Sequence, residues 1–429
     1  MNRLNLGALI IMTVLNGVCA AEAAEPAANY DESKIPPYAL PDPLVLADGQ
    51  RVTDAATWRE KRRPEIVALF EKHVYGKAPG RPADMSFEPG PKADALDGKA
   101  VRREIVVRVS KDPKAPQIHL LMYLPKPAGK PAPVFLSLNF HGNHVIHRDP
   151  GITLPEGWLP NQPDVKITSN QASEKQRGME SSRWPVQMLL ARGYGLVTAY
   201  YGDIEPDVKD GLDRSVRALY LKPGQTRPAA DEWGAIAAWA WGLSRIMDYL
   251  LTDTDVDARH VALLGHSRLG KTALWAGARD ERFGMVISND SGCGGASLAR
   301  RGIGETVRRI NASFPHWFCD NYKQYGTRVA DMPVDQHMLM ALVAPRPLYV
   351  ASAEEDRWAD PHGEFLSAKG ADPVYRLLGT DGLAAADMPP VQQPVVSTIS
   401  YHIRHGKHDV TDYDWQRYLD FADAKFGKK

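Results

Sequence analysis

The residues with the clearest chemical potential form one run, Gly265-His266-Ser267-Arg268-Leu269-Gly270-Lys271. The apolar stretch Val261 to Leu264 precedes it, as a strand would, and Thr272-Ala273-Leu274-Trp275 continues it as a helix would. A serine on a sharp strand-to-helix turn is a nucleophile elbow. Its backbone is strained so that the hydroxyl projects, and nearby glycines let chain segments pass without a Cβ clash. Here the second glycine stands three residues after the serine instead of two, so the reading rests on the flanking strand and helix as much as on the pattern. Without that context a Gly-x-Ser is an ordinary turn. Ser267 is the candidate nucleophile, and the backbone N–H of Arg268 is placed to meet an oxyanion, helped by the helix dipole.

A serine nucleophile needs a base, and the base needs an acid to orient it. In an elbow fold both follow the serine in the chain, in the order acid then histidine. His408 lies in His405-Gly406-Lys407-His408-Asp409, a polar loop after the last apolar run. His402 falls inside that run and His405 near its end, which suits structural roles. Two acids qualify: Asp356, after the run Leu348 to Ala351, and Asp290, in Ser288-Asn289-Asp290-Ser291-Gly292. For each, a loop carboxylate that caps backbone N–H groups is an equally good reading. Glu355 replaces Asp356 if the strand ends one residue earlier. His141, His144 and His147 invite a metal, but no acid-histidine spacing such as H-E-x-x-H accompanies them. Loop histidines of this kind more often face solvent or substrate, and neither metal nor other cofactor is expected.

The elements that must position these groups are short apolar runs of strand length: 101–109, 118–124, 134–138, 195–200, 260–264, 285–288, 348–351 and 395–403. Helical patterns fall at 58–74, 184–192, 232–251 and 271–278. Hairpin-like strands come first and strand-helix alternation follows, which predicts a mostly parallel sheet with helices on both faces. With the elbow, the fold class is an α/β-hydrolase. Residues 25–46 read as an extended lead-in, and 25–429 as one catalytic domain. The stretch 141–182, rich in Gly, Pro, Asn and Asp, reads as a long functional loop beside the site.

The 429 residues carry 52 Lys+Arg against 52 Asp+Glu. No global field draws in nucleic acid or an anionic membrane, so the partner is small or neutral overall. Residues 1–24 show a short basic start, an apolar run and small residues, the pattern of a cleaved signal peptide. Export to the periplasm or medium is expected, as a monomer without membrane insertion. Removal of Cys19 with the signal leaves Cys293 and Cys319, whose pairing an oxidising compartment allows but spacing does not decide.

The elbow resembles the G-C-S-R-x-G-K signature of the glucuronoyl esterases, carbohydrate esterase family 15, including the late second glycine. The resemblance extends through Ser288-Asn289-Asp290-Ser291-Gly292-Cys293-Gly294-Gly295, Asp335-Gln336-His337, Trp358-Ala359-Asp360-Pro361 and His405-Gly406-Lys407-His408. It covers most of the chain after Tyr30 and implies hydrolysis of esters between glucuronic acid, often 4-O-methylated on xylan, and lignin alcohols. Carried over by position, Ser267 is the nucleophile, His408 the base and Arg268 the oxyanion residue. Lys271, one helical turn past the serine, Glu305 and Trp358 are the uronate contacts. The family's usual acid falls on Asp290, and that of its bacterial members on Asp356. His266 for cysteine and Thr272 for glycine depart from the signature. Asp in place of Glu at 290 shortens the reach and tilts the assignment toward Asp356. The stretch after 134–138 lacks the glycine-rich form that supplies a second oxyanion N–H, which shifts that role to the Arg268 side chain. The alternatives are an acetyl xylan esterase of the same fold and a non-catalytic carbohydrate-binding protein on the same scaffold.

Overall fold

The computed structural model describes residues 27–126 and 129–427. The expected signal peptide, with Cys19, lies outside them. Ten strands form one sheet in the order β1-β3-β4-β6-β5-β7-β8-β9-β10, with β2 paired to β3. β1 (Ser86–Pro89), β2 (Ala93–Ala95), β3 (Ala100–Arg108) and β4 (Gln117–Pro125) pair antiparallel, and β4 joins β6 antiparallel. β5 (Ala132–Asn139), β6 (Gly195–Tyr200), β7 (Val256–His266), β8 (Met285–Asn289), β9 (Leu348–Ala353) and β10 (Ile399–Arg404) run parallel. All eight residues of β5 are buried, as are all of β6, β8, β9 and β10. Strands covered on both faces read as continuous apolar runs, which is why these were recognisable without a period of two.

The helices are α1 (Ala55–Thr57), α2 (Arg63–Phe70), α3 (Val186–Ala191), α4 (Ala235–Leu250), α5 (Arg268–Arg279), α6 (Val307–Ser313), α7 (Gln336–Ala341), α8 (Pro361–Leu377) and α9 (Asp412–Phe426). Two cores lie on opposite faces of the sheet. Val261 and Leu263 of β7 pack with α4, α5, α7 and α8, whereas Ala262 and Leu264 pack with α3 and α9. The alternation along β7 thus builds a three-layer sandwich. No helix among the described residues is long and apolar enough to cross a membrane.

Three expectations change. The run 395–403 yields a strand only from Ile399, and Val395 instead folds back to bridge Tyr401. The short polar strands β1 and β2 carry too little apolar signal to be seen. The stretch 141–182 is irregular as expected, but it is the residues flanking it that meet the groups of the site. Phe140 meets the His266 ring at 6.2 Å and Arg183 pairs with Asp409 at 2.6 Å. Its middle lies over the antiparallel strands, where Arg102 pairs with Asp149 at 2.7 Å and Glu104 accepts from the Thr153 N–H at 2.9 Å. His141 binds Glu180 and Gln162, and His144 is fully buried with burial holding it down at about 4, so these two are packing groups. Cys293 and Cys319 are both free and buried.

Candidate active site

β7 delivers the elbow. Its last residue, His266, pairs with Asn289 of β8, and the Ser267 N–H continues the ladder by donating to the Asn289 carbonyl at 2.9 Å. The chain then reverses into α5 with Ser267 at φ 57° and ψ −128°, a strained conformation for a residue with a Cβ. The glycines serve close approach. A Cβ on Gly265 would sit 1.9 Å from the Leu269 carbonyl oxygen, and one on Gly270 would sit 2.8 Å from Ser291 Cβ. Both positions of the late-glycine pattern are therefore needed by the turn and by the loop behind it. As first residue of α5, Arg268 has an N–H with no acceptor inside the helix.

The histidine loop follows β10. His408 Nδ1 lies 2.6 Å from Asp356 Oδ2, and the His408 ring packs against His266, next to the serine, at 4.5 Å between centres and a 41° tilt. A carboxylate accepts only, so the His408 proton sits on Nδ1 and leaves Nε2 as acceptor. Asp356 is buried, while Glu355 beside it is exposed and its N–H donates to the Gly406 carbonyl. Asp290 takes a different partner. Its Oδ2 accepts from Arg404 Nη2 and from the Asp409 N–H, each at 3.3 Å. Burial, then the nearby charges of Glu364 and Asp356, push its carboxyl well above the usual range. Asp290, Asp356 and His408 are the one group among the described residues with metal-ligand spacing. Arg404 already supplies a cation there.

Arg404 was not singled out from sequence, although it organises this loop. Its guanidinium donates to the carbonyls of His405, Lys407 and Asp409, and pairs with Asp414 at 2.7 Å. His402 is fully buried between Tyr349 and Asp414, and His405 faces Glu354 at the surface. Neither meets Asp356 as His408 does.

Arg268 stands over the Trp317 ring at 4.8 Å, with the rings of Phe314 and Phe140 at 5.6 and 5.8 Å. Its Nη1 donates to Asp207 Oδ2. Asp207 also accepts from His316 Nε2 at 2.8 Å, Trp317 Nε1 at 2.6 Å and Tyr201 OH at 3.1 Å. Burial alone would raise its carboxyl, yet His316, Arg268 and Trp317 hold it down at about 2. The guanidinium is thus held by one fixed carboxylate and aromatic faces. No sequence pattern points to Asp207, because it lies in an irregular loop after β6.

Lys271 is buried on the next turn of α5 and donates to the Ser291 carbonyl at 2.6 Å and to Glu305 at 3.3 Å. The Glu305 N–H donates to the Trp358 carbonyl at 2.9 Å, and Trp358 is 42% exposed. The three expected uronate contacts are therefore neighbours. Behind them, fully buried Glu364 of α8 accepts from the N–H groups of Ser291 and Gly292, both at 2.9 Å, and from Ser352 Oγ at 2.5 Å. One side chain ties the turn after Asp290 and Lys271's carbonyl partner to the end of β9. Burial drives it up to about 8. His266, bonded to Asn289 at 2.6 Å, is held well below its usual value by burial and by His408, so it stays neutral.

Comparison with known proteins finds related esterases. A family model of fungal glucuronyl esterases aligns with residues 228–379, from before α4 through α8. A solved esterase of carbohydrate esterase family 15 from a marine bacterial metagenome is 53% identical, covers 92% of this chain and 99% of its own, and superposes with a TM-score of 0.88. The chain belongs to carbohydrate esterase family 15. The glucuronoyl esterase of Solibacter usitatus is likewise 53% identical over 92% of this chain and all of its own, with a TM-score of 0.88. A 4-O-methyl-glucuronoyl methylesterase of Schizophyllum commune is 28% identical, covering 88% of this chain and 82% of its own length. This family 15 chain is a carboxylic ester hydrolase on an α/β-hydrolase fold.

Proposed function

We propose that the chain hydrolyses esters of glucuronic acid, including its 4-O-methyl form, that join glucuronoxylan to lignin alcohols, through an acyl-enzyme on Ser267. The observation that carries this reading is the 2.6 Å contact of His408 with Asp356 beside the strained elbow, with the buried Lys271–Glu305 pair on the next turn. Ser267 Oγ attacks the ester carbonyl as His408 Nε2 takes its proton, and Asp356 stabilises the imidazolium. The oxyanion forms against the Arg268 N–H and guanidinium. His408 then protonates the leaving alcohol, and a water activated by the same nitrogen releases the uronic acid. Lys271 donates to sugar hydroxyls, Glu305 accepts from them, and Trp358 offers a face to the pyranose C–H surface.

The site needs no cofactor. Residues 25–429 act as a single catalytic domain, a monomer exported after loss of residues 1–24. The test is release of alcohol from benzyl glucuronate by the wild type and Ser267→Ala, with an acetyl ester alongside. Uronate-ester turnover that vanishes in the variant is expected. Turnover of acetyl ester alone indicates an acetyl xylan esterase, and no turnover a carbohydrate-binding protein.

A further inference from the structure

Aromatic side chains are rarely exposed here. Of 10 Trp, 16 Tyr and 10 Phe, three are exposed, Tyr30, Tyr38 and Trp358, at 39, 37 and 42%. All three lie on segments tied to one rim of the site. The Gly304 N–H donates to the Asn29 carbonyl at 2.9 Å, and the next residue, Glu305, donates to the Trp358 carbonyl at the same distance. Asn29 and Trp358 therefore flank one dipeptide of the uronate pocket. Arg357, beside Trp358, lies over the Tyr30 ring at 5.0 Å and donates to the Tyr30 carbonyl. Arg309 lies 5.9 Å from the Trp358 ring centre. Tyr38 lies toward Arg301, whose guanidinium holds Glu32 of the same lead-in and Asp360, each at 2.8 Å. The lead-in is thus pinned across the mouth of the site by two arginines.

Scattered exposed aromatics need no explanation, but convergence of all three beside a pocket does. A ring stacked on one side by a guanidinium is ordered before a ligand arrives, which lowers the entropy cost of binding on its open face. We propose that Tyr30 and Tyr38, held at Arg357 and Arg301, extend the Trp358 side of the uronate pocket into a ledge that binds the neutral pyranose main chain of the polysaccharide carrying the ester. The inference rests on the function proposed above. With the uronate carboxyl at Ser267, the anomeric end of that sugar joins the main chain, so the main chain must leave the pocket over its rim. The ledge adjoins Glu305, on the sugar side of the pocket. The leaving alcohol takes its proton from His408, so the ledge faces the polysaccharide and not the lignin fragment.

The test compares two esters and one unesterified ligand. For Tyr30→Ala/Tyr38→Ala, kcat/KM on benzyl glucuronate stays within about twofold of wild type, while on a glucuronoyl ester carried by a xylo-oligosaccharide it falls about tenfold, through KM. Tyr30→Trp/Tyr38→Trp restores it. Calorimetry with Ser267→Ala shows binding of unsubstituted xylohexaose that the double alanine change removes. An equal loss on both esters, or xylohexaose binding that is absent or indifferent to the tyrosines, overturns the ledge. So does a loss confined to a bulky aromatic leaving group, which would assign the rim to lignin. Failure of wild type to cleave benzyl glucuronate would instead sink the underlying function, and xylohexaose binding would still judge the ledge.

Discussion

Replacing Asp356 by Asn should be far more damaging than the same change at Asp290, although both acids are buried within reach of His408. The Asp356 carboxylate receives the His408 Nδ1 proton at 2.6 Å. An amide there offers either a weaker neutral acceptor or an NH2 that repels the Nδ1 proton. In the second orientation His408 holds its proton on Nε2 and cannot take the one from serine. Loss of the charge and of the tautomer costs about 10³–10⁴ in kcat, or about 4–5.5 kcal/mol of barrier. Asp290 touches the base only indirectly, through Arg404 and the Asp409 N–H at 3.3 Å. Asn keeps an acceptor for both, and a carboxyl that burial already pushes well up surrenders little charge when it becomes an amide. Its kcat should fall by about tenfold or less. The assay is initial rate on benzyl glucuronate at saturating substrate, with Glu355→Gln expected to match wild type. Equal losses at the two positions, or a larger one at Asp290, would refute the assignment of Asp356.

Three further outcomes are expected. Asp207→Asn should lower kcat about tenfold by releasing the Arg268 guanidinium, yet no more than about twofold in an Arg268→Ala background, and additive losses in that cycle would show that Asp207 acts elsewhere. Glu364 carries its proton up to about 8 in the folded chain against 4.5 as an ordinary carboxyl. The native state therefore holds a proton that the unfolded chain has lost, and stability falls as pH rises between those values, by up to about 1.4 kcal/mol per pH unit. Glu364→Gln keeps acceptors for the Ser291 and Gly292 N–H groups and should flatten that slope in thermal unfolding from pH 5 to 8; parallel curves for the two proteins would contradict it. Because burial and the neighbouring His408 hold His266 neutral, log kcat/KM should fall on the acid side with a limiting slope of one, and a slope of two would mean that His266 titrates with the activity.

The parallel half of the sheet was legible because strands buried on both faces leave unbroken apolar runs. The elbow was legible because a Cβ on either of its glycines would come within 1.9 or 2.8 Å of a neighbour in or just behind one turn. β1 and β2 were not, since short polar edge strands are specified by their neighbour β3 and not by their own pattern. Ser267, Lys271 and the candidate His408 could be read from spacing along single elements. Asp207, Arg404 and Glu364 could not, because each acts on groups 61, 114 and 73 residues away in the chain, and no local period encodes such a meeting.

The choice between two acids shows the same boundary. By itself the sequence determined the fold class, the family, the nucleophile turn and a short set of partners, all of which depend on residue type and local spacing. Only the tertiary structure decided that Asp356 faces His408 while Asp290 faces Arg404, and that the lead-in brings Tyr30 and Tyr38 to the rim beside Trp358. Both depend on where the ends of β8, β9 and β10 and a distant segment come to rest in space, which is set by packing across the sheet and over its edge.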